Sequence, residues 1–219
     1  MTSPIIVAVD GAAGSGKSTL ARGLARALGV AYVNTGLMYR ALAAAAIRSG
    51  VEPDDAERLV DLAEALRFTV RGDDPPALEV EGYGPEDLTT PDVESTVSRV
   101  ARHPAVRSLM RDTQRVLGST GAVMEGRDIA TVVFPEAPLK LFLRADPDRR
   151  VGRRADERGA DDPDAIGRAL QTRDARDART NPLAPARGAV VIDTTHRSIE
   201  ETLTTALEEA RRIWPAATP

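Results

Sequence analysis

Gly11-Ala-Ala-Gly-Ser-Gly-Lys-Ser-Thr19 is the stretch whose reading decides the fold. It fits G-x-x-x-x-G-K-[ST] in full, with Gly11, Gly16, Lys17 and Ser18 at the fixed positions. Before it, Pro4-Ile-Ile-Val-Ala-Val-Asp10 is a short apolar run of the kind a buried parallel strand carries. After it, Leu20, Leu24 and Leu28 recur at helical spacing. Strand, glycine loop and helix thus stand in the order a phosphate cradle needs. Glycines let the backbone wrap around a polyphosphate so that successive N–H groups, with the helix N-terminus behind them, point at anionic oxygens. Lys17 adds a mobile ammonium for the outer phosphates, and the Ser18 hydroxyl is a ligand for Mg²⁺. Ala12, Ala13, Gly14, Ser15 and Thr19 complete the cradle. Lys17 and Lys140 are the only lysines of an arginine-rich chain, so a point charge stands where a planar guanidinium would fit poorly.

The 219 residues suffice for one α/β domain with a small insertion. Hydrophobic content of 42% with 28% charged residues describes a globular protein. A net charge of −4 argues against a broad nucleic-acid or anionic-membrane surface, so phosphate binding must be local. The absence of cysteine excludes disulfides, thiolate catalysis and cysteine-based zinc sites. His103 and His196 suggest no metal pair or catalytic triad. No apolar run approaches the roughly 20 residues that span a bilayer, and no signal peptide precedes the first strand. The expectation is a cytoplasmic protein without membrane or nucleic-acid partners.

Further along, Val30-Ala-Tyr-Val33 reads as a second strand. Asn34-Thr-Gly-Leu-Met-Tyr-Arg40 opens a helix that carries Arg40 near the end facing the glycine loop. Alone, an arginine there reads as a solvated charge. A helix is expected over 54–66, and alternating runs broken by Gly and Pro from Phe68 predict a small antiparallel insertion. Helices over 92–102 and 105–117 carry Ser98 and Arg107. Ala122-Val-Met-Glu-Gly-Arg-Asp128 is a strand ending in a glycine turn, which leaves Arg127 and Asp128 either as a salt-bridged turn or as site residues beyond a strand's carboxyl end. Leu139-Lys-Leu-Phe-Leu143 and Val190-Val-Ile-Asp193 are further core strands, and 199–213 a closing amphipathic helix. Between them, Arg149, Arg150, Arg153, Arg154 and Arg158 are spaced to share a helix face, which is either a solvated surface or a phosphate-binding one. The stretch from Arg144 to Arg179 holds few large apolar residues and reads as a mobile lid.

Thr35-Gly-x-x-Tyr39-Arg40, Glu125-Gly-Arg-Asp-Ile-Ala-Thr-Val-Val-Phe-Pro135, the Ser98-Arg-Val-Ala run leading to Val106-Arg107 and the Arg173-Asp-x-x-Asp177 run follow the glycine loop in one order. In that combination the chain resembles the bacterial cytidylate kinases over nearly its whole length. The resemblance implies a P-loop NTPase fold: a five-stranded parallel sheet flanked by helices, an insertion binding the nucleoside monophosphate, and an arginine-rich lid. It divides the single domain into a core (1–66, 118–145 and 180–219), an insertion near 67–117 and a lid near 146–179. It implies a monomer that transfers the γ-phosphoryl group of ATP to CMP or dCMP with Mg²⁺ held by Ser18, the ATP phosphates and water. By the same resemblance, residues 11–19 cradle ATP, and Arg150, Arg153 and Arg154 close over it. Thr35, Arg40, Arg127 and Arg173 surround the acceptor's phosphate and sugar, with Asp177 accepting from a ribose hydroxyl. Ser98, Arg107 and Asp128 read the base; Lys17, Arg127 and Arg173 are the catalytic cations. The family pattern also places an arginine three positions after the Asp matching Asp177, whereas here Arg179 follows by two. Glu125 stands where many relatives carry Asp, and the insertion is abbreviated.

The base-reading trio has its own chemical sense. Cytosine's pairing edge offers two acceptors and one amino donor, which suits a guanidinium beside a carboxylate or hydroxyl. Uracil reverses two of these groups, and each mismatched buried polar group costs roughly 1–3 kcal/mol. Cytosine is therefore the expected base. The alternatives are a P-loop kinase of another nucleoside monophosphate or small acceptor and, more remotely, a regulatory NTPase. A switch GTPase would need an Asn-Lys-x-Asp element, and neither Asn34 nor Asn181 is followed by Lys.

Overall fold

The computed structural model describes residues 4–158, 162–180 and 183–217, without the side chains of 157, 158, 163, 179 and 180. Strand β1 (Ile6–Gly11) lies in the middle of the sheet, paired in parallel with β5 (Ala122–Gly126) on one side and β6 (Leu139–Arg144) on the other. Beyond β5 lies β2 (Ala31–Asn34), and beyond β6 lies β7 (Val190–Asp193), both parallel. These are the five parallel strands the resemblance implies. The antiparallel hairpin β3 (Phe68–Arg71) and β4 (Ala77–Val80) is not set apart from them, because β4 continues the sheet through Tyr32 opposite Ala77. The result is a seven-stranded sheet in the order β3-β4-β2-β5-β1-β6-β7.

The two-residue period of the strands sorts the core into two layers. Val7 and Val9 of β1 face Leu20, Leu24 and Leu28 of α1 (Lys17–Leu28) and Ala206 and Ala210 of α9 (Ile199–Ile213). Ala8, between them, faces Met38 and Leu42 of α2 (Thr35–Arg48). On that second layer pack α3 (Ala56–Ala65), the single turn α4 (Pro85–Leu88), α5 (Pro91–Val100) and α6 (Pro104–Gly118). Helix ends carry their expected chemistry. Gly29 takes the left-handed conformation that stops α1, Thr90 caps α5 ahead of Pro91, and Ser198 with Glu201 forms a capping box on α9.

The turn α4 and a π-helical turn over Ile129–Val133 were not legible as elements in the sequence. The π-turn is held from both ends. Asp10 accepts hydrogen bonds from the Ile129 and Ala130 amides, both at 2.8 Å, and Arg115 of α6 donates to the Val132 and Val133 carbonyls, both at 2.9 Å. Helices α7 (Pro147–Arg158) and α8 (Pro163–Thr180) pack on each other across the carboxyl ends of the strands.

Candidate active site

Register brings the site together. Asp10 of β1 lies opposite Gly126 of β5, and Asn34 of β2 opposite Glu125, so the glycine loop, the Arg127–Asp128 turn and the start of α2 emerge side by side. This is where strand order reverses about β1, the crevice that ligands favour in open α/β sheets.

The loop itself is shaped for close approach. Gly14 has φ +73°, and a Cβ there would stand 2.9 Å from the Arg150 carbonyl oxygen of α7. A side chain would be strained and would also push α7 away. Gly16 caps α1 in the left-handed conformation, so the helix begins at Lys17 with its N-terminus on the cradle. The fully buried Ser15 hydroxyl completes no hydrogen bond among the described residues. Lys17 donates to the Ala12 carbonyl at 2.7 Å. Burial first, then the neighbouring Arg127 and Arg173 guanidiniums, push the Lys17 ammonium down to about 7, against the opposing pull of Glu125 and Asp10. A polyphosphate would reverse that shift.

Two cavities flank the loop. One, of about 210 Å³, is lined by Ala13, Lys17 and Ser18 of the loop together with Thr35, Arg40, Ser98, Arg107, Arg127, Asp128, Arg154, Arg173 and Asp177. The proposed base readers face the same space, with Arg107 Nη2 donating to Asp128 Oδ2 at 2.5 Å. Six cationic side chains line this cavity against three carboxylates, so a protein of net negative charge concentrates positive potential at one spot. Arg127 Nη2 lies 2.9 Å from Asp177 Oδ2, and Nη1 lies 3.6 Å from Asp174 Oδ1. Neither nitrogen completes a hydrogen bond among the described residues: the approach is close but off-axis. Arg173 Nε is likewise buried without one. Burial, then Arg127 and Arg40, hold the Arg173 guanidinium down to about 10. Buried, mutually repelling guanidinium donors are what an incoming dianion would satisfy.

The other cavity, of about 250 Å³, lies across the loop between Ser15, Gly16 and Thr19 on one side and Arg153, Thr194, Arg197 and Ile199 on another. Its mixed apolar and polar wall differs from the arginine cluster and has room for the nucleoside end of a nucleotide.

The lid arginines do not share one solvated face. Arg149 and Arg153 reach the turn after β7, donating to the Thr195 and Thr194 carbonyls. Arg150 donates to Asp174 Oδ2 at 2.5 Å and to the Ala13 carbonyl at 3.3 Å. Arg154 turns instead into the first cavity. The side chains of Arg158 and Arg179 lie outside the described residues.

Asp10, Glu125 and Asp174 were assigned no role from the sequence. Asp10 and Glu125 are buried charges inside apolar strands, and that position was their signal. Thr35 Oγ1 donates to the Glu125 carbonyl at 2.8 Å, and Tyr32 donates to Glu125 Oε1 at 2.5 Å and also hydrogen-bonds Ser18. Burial beside Glu125 pushes the Tyr32 phenol up. Asp174, which bridges Arg127 and Arg150, stands in the Arg173-Asp-x-x-Asp177 run, but only its neighbours Arg173 and Asp177 were assigned from it.

Comparison by sequence with known proteins converges on one group. The family model for cytidylate kinase matches residues 7–212. A cytidylate kinase of Solibacter usitatus is 44% identical over 210 residues, covering 90% of this chain and 88% of that one. One from Granulibacter bethesdensis is 41% identical over 218 residues, covering 96% and 99%. Among solved structures, an unliganded sugar kinase from Janibacter sp. HTCC2649 superposes with a TM-score of 0.50 at 19% identity, covering 100% of this chain and 99% of that one, a likeness of fold alone.

Proposed function

The chain belongs to the cytidylate kinase family and is an ATP-dependent phosphotransferase; from that premise we propose how its two cavities divide the reaction. The cavity beside Arg153, Thr194 and Ile199 takes the nucleoside of ATP, and the triphosphate runs along residues 11–19 towards Lys17. The arginine-lined cavity takes CMP or dCMP, and the products are ADP with CDP or dCDP. The observation that carries this reading is that Lys17 and the Arg107–Asp128 pair line one continuous space.

In that arrangement the protein's contribution is positioning and charge neutralisation, as phosphoryl transfer requires. Arg40, Arg127 and Arg173 would orient the acceptor phosphate, whose oxygen attacks the γ-phosphorus in line as the bond to the ADP leaving oxygen breaks. Lys17 would follow the migrating negative charge. Arg107 would donate to cytosine O2 and N3 while Asp128 and Ser98 meet the amino group. Asp177 would meet a ribose hydroxyl, and Arg179 the acceptor phosphate. Arg150 and Arg153, bonded to the cradle's own carbonyls, would keep water from the γ-phosphate.

The donor set fits Mg²⁺, because the Ser18 hydroxyl and the Glu125 carboxylate, both hard oxygen ligands, line the same cavity. Held there, the ion would supply positive charge to offset that of the phosphates. We take the enzyme to be a monomer, as its resemblance to bacterial cytidylate kinases implies. No helix among the described residues is long and apolar enough to cross a membrane. The substrates are those of the cytoplasm, where we place the enzyme. The test is Arg107→Met in a coupled ADP-release assay: the KM for CMP is expected to rise about 10- to 100-fold with that for ATP within about twofold. An unchanged CMP KM would remove Arg107 from the acceptor site.

A further inference from the structure

Arg154 was expected over the donor phosphates, yet it lines the acceptor cavity. What holds it there is Glu94, one helical turn before Ser98 on α5. Glu94 Oε1 accepts from Arg154 Nη2, and the same oxygen lies 3.6 Å from Arg40 Nη2. One carboxylate thus gathers guanidiniums from α7 and α2 onto α5. All three side chains are largely buried, with exposures of 17% for Glu94, 21% for Arg154 and 15% for Arg40. Glu94 is not among the described residues lining the cavity, so it acts on the two guanidiniums from outside the space the acceptor would fill.

We propose that Glu94 is a positioning residue of the acceptor site, a carboxylate clasp that fixes Arg40 and Arg154 towards the acceptor phosphate and so makes the lid helix α7 part of acceptor binding. The proposal rests on the acceptor reading of this cavity given above. Its physical basis is the crowding of like charge. Arg154 and Arg40 both lower the proton affinity of Arg173, a sign that three guanidiniums repel one another here. Without a counter-charge, two long side chains free to rotate would part before any phosphate arrived. Glu94 offsets one positive charge and leaves the cluster assembled, a preorganisation that the acceptor then need not supply.

The test is calorimetric titration of CMP into the ATP-free protein, paired with steady-state kinetics, for wild type, Glu94→Gln, Arg154→Met and the double variant. The amide keeps the volume of the carboxylate and removes its charge. Glu94→Gln is expected to weaken CMP binding and raise its KM about five- to thirty-fold, with the ATP KM within about twofold. In the double variant the two losses should multiply only in part, because Glu94 acts through Arg154 as well as through Arg40. Unchanged or tighter CMP binding by Glu94→Gln overturns the clasp, as does a parallel rise in the ATP KM or full multiplication of the two losses. If the wild-type protein itself fails to bind CMP, the acceptor reading falls and the clasp with it; normal wild-type binding with silent variants removes the clasp alone. Circular dichroism and thermal midpoints for each variant separate these outcomes from misfolding.

Discussion

The cradle proposed for the donor and the cavity proposed for the acceptor stand next to each other and are built in opposite ways. The proposed cradle is nine consecutive residues, 11–19, which would hold phosphates largely through backbone N–H groups set by glycine conformations and the start of α1. The acceptor cavity draws on α2, α5, α6, the turn after β5, α7 and α8, and its working parts are side-chain tips. In the cradle, geometry is written into the chain locally. In the cavity it depends on tertiary packing and on carboxylates that hold each arginine: Glu94 for Arg40 and Arg154, Asp174 for Arg127 and Arg150, Asp177 for Arg127 and Arg173. A backbone site is sensitive to few residues, each severely; a side-chain site is sensitive to many, each moderately.

The largest effect should therefore come from the one side chain the cradle cannot replace. Lys17→Ala is expected to lower kcat by about 10³-fold or more, with far-UV circular dichroism unchanged, since charge stabilisation of the transferred group is lost. A variant retaining a tenth of wild-type kcat would break the contrast, showing that the arginines suffice without the cradle's lysine.

A smaller effect, and one that crosses the divide, is expected from Asp10. Its two oxygens take the Ile129 and Ala130 amides directly after the Arg127–Asp128 pair, while its own chain continues straight into Gly11. One buried carboxylate therefore ties the two sites together, and burial holds its pKa above the usual carboxylate value. Asp10→Asn turns an acceptor into a donor facing an N–H, at a cost of about 1–3 kcal/mol. The KM values for ATP and CMP should both rise, by roughly five- to tenfold, in contrast to the one-sided effect of Arg107→Met. A change confined to one substrate would show that the sites are independent.

The same contrast explains what could be read before the fold was known. The P-loop pattern, the five strand segments of the parallel sheet and the helices over 17–28 and 199–213 follow from local spacing, because periodicity and glycine chemistry act over a few residues, whereas their parallel arrangement came from the resemblance. Arg40, Ser98, Arg107 and Arg173 carry no such signal, and it was family resemblance that assigned them. Glu94 lay beyond both routes, since it acquires meaning only from an arginine some 60 positions distant in the chain; Asp174 stood in a quoted run, yet its pairing with Arg150, 24 positions away, was not legible there. The hairpin's union with the sheet was hidden for a related reason: a single pairing of Tyr32 with Ala77 carries it, and no pattern within 68–80 declares a partner strand.

The smallest expected effect is a fraction of a proton, and it probes the junction of the two regions. Lys17 belongs to the cradle, but after burial it is Arg127, on the acceptor side, that most lowers its proton affinity, bringing it to about 7 from the ordinary 10.5. In the nucleotide-free protein at pH 8 the amine is therefore expected to be mostly neutral. ATP phosphates favour the ammonium and restore a pKa well above 8, so binding must take a proton up from solution. The uptake should approach one proton at pH 8, fall to about half near pH 7 and vanish below about pH 6, where Lys17 is already charged. The same sign governs stability: the cost of burying the ammonium is fully present below about 7 and is relieved as pH rises from there towards 10.5. Calorimetry of ATP binding in two buffers of different ionisation enthalpy measures the uptake directly. Arg127→Met, which removes the largest opposing charge, should raise the Lys17 pKa and diminish the uptake at pH 8 while leaving the cradle's backbone intact. If uptake is absent at pH 8 in the wild type, Lys17 is charged before ATP arrives, and the electrostatic coupling between cradle and cavity is weaker than their shared wall implies.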